Sequence, residues 1–176
     1  MRQPKGSLVP DGDHATLTFR RTYPHRIADV WEAISTPEGL RGWLMVTEAT
    51  IEPRVGGRVD MKSGPSRFHS TGTMLAYEPP RLIEYEWNVE SVPEMPHGEH
   101  AIFRYELTAD GDSTHLLVTY TRISMHTARG FLPGLHAFLD RLEAQLDDTK
   151  MPGFVERFGE LRAEYPEWSH APASGQ

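Results

Sequence analysis

The chain has no cysteine. That absence removes disulfides, thiolate nucleophiles and thiolate-held zinc or iron–sulfur sites together, and it fits a reducing compartment. Nowhere do about 18 apolar residues run uninterrupted. The opening MRQPKGSLVPDGDH has no apolar stretch of the kind a signal peptide needs, so a soluble, cytoplasmic protein without a membrane span is expected. Basic clusters are missing too. The net charge is -7 with Lys and Arg scattered, which argues against nucleic acid as a partner, because phosphate affinity needs a concentrated basic face. No internal repeat or low-complexity block marks a solenoid or array.

What is present is 176 residues, enough for one domain that buries roughly 70% of its unfolded surface without a staple or cofactor. The Pro- and Gly-containing residues 1–13 and the tail 169–176 read as flexible termini, which leaves a single folded domain over 14–168. Residues 15–23 alternate as a strand that Pro24 stops, with Leu17, Phe19 and Arg21 on one side. Two short helices follow at 28–35 and 37–44, the second opened by Thr36 as N-cap and Pro37 at its first position. From residue 46 the period becomes two, with strands over 47–53, 57–63, 67–78, 81–89, 100–109 and 114–123. Short turns separate most of them, so the neighbours are antiparallel and the sheet has about seven strands. Residues 128–148 then repeat apolar positions at helical spacing, and 150–168 forms an extra amphipathic helix.

Several motifs reduce to structure. Gly56 and Gly57 lack the rest of a phosphate loop and sit between strands, where they make a hairpin turn. His97 and His100 fall on opposite sides of an extended chain with no third ligand beside them, so no metal site is expected. His136 falls on the edge of the long helix away from Leu135 and Leu139 and reads as a surface residue. No nucleophile elbow surrounds Ser113 or Ser124, so no catalytic residue is assigned and no cofactor is implied. Glu84, Glu86, Arg104 and Glu106 alternate to the solvent side and read as cross-strand charge pairs.

The segment RLIEYEWNV, 81–89, carries Ile83, Tyr85, Trp87 and Val89 on one side. The same alternation brings Phe103 and Tyr105 inward on the next strand, and Tyr120 with Arg122 on the last. Strand 67–78 offers His69 and Leu75, or the opposite set. Pattern alone leaves open whether this aromatic face closes a solid core or lines a cavity.

Strand, two short helices, six strands and a long helix, the order β-α-α-β6-α, is an α+β helix-grip arrangement, a curved antiparallel sheet around the C-terminal helix. RTYPHRIADVWEAISTPEGLRGWL (21–44), IEPRVGGRVDM (51–61), GTMLAYEPPRLIEYEW (72–87) and GFLPGLHAFLDRLEAQL (130–146) together resemble the START-like (SRPBCC) superfamily. Within it they are similar to the family of the C-terminal domain of the activator of the heat-shock protein 90 ATPase. The resemblance covers about 14–148, with Phe131 where the family often has Trp and 150–168 as an addition. It implies a cavity between sheet and helix that holds a hydrophobic or aromatic small molecule. The lining candidates are Trp43, His69, Tyr85, Trp87, Phe103, Tyr105, Tyr120, Arg122, Phe131 and Leu135. A polyketide cyclase or aromatase using the same cavity is the alternative, with His69, Tyr85, Tyr105 and Arg122 as acid–base candidates. A co-chaperone-like interaction module is a third, but residues 1–13 are too few for the name-giving protein's further N-terminal domain, so a chaperone partner is expected to transfer poorly. Some relatives have stress or resistance roles, and the extra helix is compatible with a homodimer.

Overall fold

The computed structural model describes residues 2–166. The chain opens with β1 (Ser7–Asp11) and β2 (His14–Tyr23), followed by α1 (Ile27–Ser35) and α2 (Pro37–Trp43). β3 (Glu48–Ile51), β4 (Arg58–Ser63), β5 (Phe68–Glu78), β6 (Leu82–Val89), β7 (Glu99–Asp110) and β8 (Ser113–Ser124) come next. α3 (Met125–Leu146) and α4 (Phe154–Leu161) complete the order, with a 3-10 turn at Arg162–Glu164. The sheet is antiparallel throughout and runs β1-β2-β8-β7-β6-β5-β4-β3, and α3 packs on its inner face: the helix-grip arrangement.

The sheet has eight strands rather than about seven, because β1 lies inside the stretch expected to be a loose terminus. Gly12, at φ 60, closes a tight turn that pairs Asp11 with His14 and lays Leu8 opposite Leu17. That φ is open to glycine at no steric cost. Leu8 then packs on the core, which repays the ordering of a polar segment.

α2 starts where Thr36 and Pro37 place it, the Thr36 hydroxyl accepting from the Gly39 amide at 3.0 Å. α3 starts three residues before the expected 128 because Ser124 caps it, accepting from Thr127 N. The polar flank of α3 clamps α2. Gln145 accepts from Trp43 N and donates to Gly39 O, both at 2.9 Å, while Arg141 donates to the carbonyls of Gly42, Trp43 and Pro152. These bonds satisfy carbonyls that the end of α2 leaves without intrahelical partners.

The extra element is shorter than 150–168: α4 ends at Leu161, and Glu167, Trp168 and the tail 169–176 lie outside the described residues. It covers the back of α3. Phe154 packs on Phe138 with ring centroids 4.3 Å apart, and Gly134 leaves room for Phe154 and Phe158. No helix among the described residues is long and apolar enough to cross a membrane.

Candidate functional site

Alternation on β6, β7 and β8 delivers the expected inner face. Tyr85, Trp87, Phe103, Tyr105 and Tyr120 are all buried. Registers Tyr85↔Phe103 and Phe103↔Tyr120 set the rings side by side across three strands. Phe103 and Tyr120 stack at 3.6 Å between centroids with 2° between planes, and Trp87 stacks on Phe103 at 4.8 Å. From the helix, Phe131 meets Trp87 edge-on at 5.4 Å, and Leu135 is buried beside this core. The interior at Tyr85 and Trp87 is therefore filled by the protein's own rings.

Trp43 belongs to another part of the core. It is fully buried at the end of α2, its indole donating to Ala33 O at 2.8 Å, and it locks α1 to α2.

Two expected lining residues stand outside. On β5 the inward set is Ser70 and Met74, so His69 points to solvent, where it pairs with Asp60 at 2.8 Å. Arg58 bonds the same carboxylate, and these two partners hold the Asp60 carboxyl below its ordinary range. Arg122 is exposed as well. β8 carries a bulge opposite Thr16, between the pairs Leu17↔Tyr120 and Ala15↔Ile123, with Arg122 at φ 60. The extra residue resets the alternation, so that Ile123 turns inward where Arg122 was expected.

The polar atoms of the aromatic face are phenols. Tyr105 Oη and Tyr120 Oη lie 2.7 Å apart, and the Tyr85 ring stacks beside Tyr105 with centroids 6.4 Å apart. Burial pushes all three phenols far above their ordinary range, with each other's partial charge adding to it. They stay protonated at any ordinary pH, able to donate a hydrogen bond but not to act as bases. Buried Ser63 and Ser70 add hydroxyls on the inner face of β4 and β5.

The backbone of α3 approaches β1, β2 and β8 closely, and scarcely approaches β4–β7. Large side chains span the wider space over the second half of the sheet. Leu44, Phe68, Phe131 and Phe138, packed on the core but part-exposed, edge this side. The β4–β5 turn reaches the helix here: Gly64 N donates to Leu44 O, and a Cβ on Gly64 would sit 3.8 Å from the Phe138 ring. The surface depressions lie elsewhere. One of about 420 Å³ touches Pro4, Arg20, Thr22, Glu106 and His115, and one of about 260 Å³ touches Ile27, Arg81 and Thr108. Both are open, and no ring of the aromatic interior lines either.

A second polar cluster lies where α3 is close to the sheet. Arg21 on β2 has no exposed side-chain surface and donates to Asp140 Oδ1 at 2.8 Å, while Arg157 from α4 donates to Asp140 Oδ2 at 2.8 Å. His136, expected at the surface, is buried here. Its Nδ1 is 2.5 Å from Tyr165 Oη, and its ring meets Phe19 edge-on. Burial, reinforced by the Arg21 charge, pushes its imidazole down to about 4, and burial pushes the Tyr165 phenol up to about 12. α4 and the turn after it bury this flank, and helix periodicity within α3 could not anticipate that cover.

Sequence reasoning also missed Glu99, one residue before the strand expected to start at 100. Its carboxylate is buried and accepts from Ser124 N at 3.1 Å and from the Ser124 hydroxyl, tying the start of β7 to the cap of α3. The charge pairs on the outer face match the alternation, with Arg104 donating to Glu84 at 2.9 Å and to Glu106 at 3.1 Å. No group of three or more metal-ligating side chains occurs among the described residues.

Residues 24–147 match the model of the family described as Activator of Hsp90 ATPase homolog 1-like protein. CalU16 from Micromonospora echinospora is similar in structure, with 20% identity over 94% of this chain and 95% of its own, at a TM-score of 0.68. MLL2253 from Mesorhizobium loti shares 25% identity over 77% of this chain and 98% of its own, at a TM-score of 0.66. The protein encoded by gene BPP1335 from Bordetella parapertussis shares 20% identity over 94% of each chain, at a TM-score of 0.67. No curated protein matches this chain.

Proposed function

The chain belongs to the Activator of Hsp90 ATPase homolog 1-like protein family, and from that premise we propose that it binds a hydrophobic, aromatic small molecule between β4–β7 and α3. The observation that carries this reading is the uneven seat of the helix. Where the backbone of α3 is close, Arg21, Asp140 and His136 tie helix to sheet; where it is far, rings with polar tips fill the gap. A core that needs only volume is served by Leu, Ile and Val, which carry no polar atoms to satisfy. Flat rings slide and turn about two side-chain torsions, so an incoming ring can take the place of Phe131 against Trp87. The unliganded protein is then the closed state. Opening is easiest in the first half of α3, where Pro133 removes one backbone donor from the helix ladder.

The cyclase-like alternative is weaker, because His69 and Arg122 point outward and the remaining tyrosines lack a base. Nothing in the geometry singles out a chaperone surface or a dimer contact.

The test is native mass spectrometry and tryptophan fluorescence against a panel of polycyclic aromatics, flavonoids and fatty acids. A one-to-one adduct with one scaffold is expected, with quenching that disappears in Trp87→Phe. An empty spectrum across the panel, together with saturable binding to a chaperone, would replace this reading with the interaction-module one.

A further inference from the structure

The guanidinium of Arg21 uses only part of its donor set. Arg21 stands on the inward face of β2 between Phe19 and Tyr23, opposite Leu116 of β8, and its side chain has no exposed surface. Nη1 donates to Asp140 Oδ1 at 2.8 Å, while Nε and Nη2 meet no acceptor among the described residues. Those two nitrogens share one edge of the planar group. The N–H of Nε and one N–H of Nη2 point the same way, side by side, and this edge takes both oxygens of a carboxylate. Asp140 does not supply them, since its other oxygen, Oδ2, accepts from Arg157 at 2.8 Å. Two unpaired buried donors on a cation are costly, which makes the edge a place for an acceptor.

The first residues of the chain pass beside this edge. Residues 2–6 form neither helix nor strand and are held by a few bonds. Gln3 Nε2 donates to Thr22 O at 2.7 Å and to Glu143 of α3 at 3.3 Å, and Gln3 Oε1 accepts from Thr22 N at 3.2 Å. Gln3 thus bridges β2 to α3 one residue from Arg21 and one turn from Asp140. Gly6 lies against the Phe19 ring, where a Cβ would clash, and donates to Tyr165 Oη at 2.9 Å. Arg2 and Lys5 tie the arm to Glu164. Arg21 also borders, with Pro4 and Thr22, the open depression of about 420 Å³.

We propose that Arg21 binds the carboxylate of a small organic acid on its Nε–Nη2 edge, with residues 2–6 as the strap over the entrance. The site lies on the β2–β8 side of the sheet and is independent of the aromatic site proposed above. Shape selects the carboxylate, because two parallel donors match two coplanar oxygens. Charge selects a monoanion, because Asp140 and Glu143 stand beside the site and repel a second negative charge. The buried neighbours Phe19, Tyr23 and Leu116 select a short, apolar remainder.

The test follows the arginine Nε–H signals of the full-length protein by proton–nitrogen NMR while acetate, propionate, benzoate, acetamide and chloride are titrated in. The Arg21 signal is recognised in wild type by slow exchange with solvent, since the side chain is wholly buried, and by its loss in Arg21→Lys. A saturable downfield shift with the acids is expected, and none with acetamide or chloride. Arg21→Lys keeps the charge without the two-donor edge and is expected to weaken acid binding, read from the Tm rise with acid, by about tenfold or more. Gln3→Ala loosens the arm, leaves Arg21 in place and is expected to speed acid exchange several-fold. An Arg21 signal unmoved by every acid overturns the site, and an equal shift with chloride or acetamide overturns the carboxylate assignment. An exchange rate unchanged in Gln3→Ala overturns the strap. Ring binding in the aromatic panel is a separate readout, so either site can fail without the other.

Discussion

Under β1, β2 and β8 the helix α3 lies close to the sheet, and its flank carries His136 and Asp140 onto Arg21, Tyr165 and Arg157. Over β4–β7 the same helix stands off, and Phe131 reaches across to Trp87. In the first region buried charge is matched by opposite charge from two elements. In the second, the buried polar groups are uncharged hydroxyls of tyrosine and serine. One arrangement tolerates no loss of a partner; the other has no charge to strand. The difference separates a part of the fold whose charges fix the helix in place from a part where rings can give way to something new.

The largest effect expected is at Asp140. Arg21 is wholly buried, its Nε and Nη2 have no hydrogen-bond partner among the described residues, and Asp140 is the carboxylate paired with its charge. Asp140→Ala is expected to cost about 3–5 kcal/mol in urea unfolding, because it leaves an uncompensated buried guanidinium. Arg21→Met keeps the length, leaves Asp140 with Arg157, and is expected to cost far less. Equal losses in both would mean that volume, not charge, holds this side together. Glu99→Ala comes next, at about 2 kcal/mol, since it strips the amide and hydroxyl of Ser124 of their acceptor at the cap of α3.

A pH measurement addresses the same region. An unfolded histidine titrates near 6.5, while His136 in place is held near 4, facing Arg21, Asp140, Arg157 and Glu164. Between those values the unfolded chain binds the extra proton, so stability rises with pH across the window and is lost as pH falls through it. The contribution is on the order of 2 kcal/mol. His136→Gln retains a partner for Tyr165 and is expected to flatten the dependence of Tm on pH between about 4 and 6.5 relative to wild type; an unchanged slope would remove His136 from the account.

How much of this was legible follows the same division. Period-two alternation over 81–89, 100–109 and 114–120 put every aromatic ring on the correct face, because side-chain direction in a strand is a local property. It failed at Arg122, where a bulge without glycine shifts the phase, and at β5, where either face remained open. The missed β1 was readable: Asp11–Gly12–Asp13 repeats the Asp110–Gly111–Asp112 that joins β7 to β8, and both glycines stand at φ 60. The second was read as a turn because strands flanked it, the first was passed over because Pro10 and Gly6 surrounded it. His136 and Glu99 were beyond reach for another reason. Their burial comes from α4 and from the corner between β7 and α3, contacts 25 or more residues apart in sequence that no local period encodes.

The smallest effect is the one that separates a bonded pair of hydroxyls from two unrelated ones. Tyr105 Oη and Tyr120 Oη lie 2.7 Å apart, and both rings are buried. Tyr105→Phe and Tyr120→Phe each delete one hydroxyl and leave the other without its partner, so each is expected to cost about 1–2 kcal/mol in urea unfolding. The double variant strands neither hydroxyl and is expected to cost less than the sum of the two single losses. If the losses simply add, the two phenols are independent fillers of a core, and the stand-off of α3 from β4–β7 is only a matter of size.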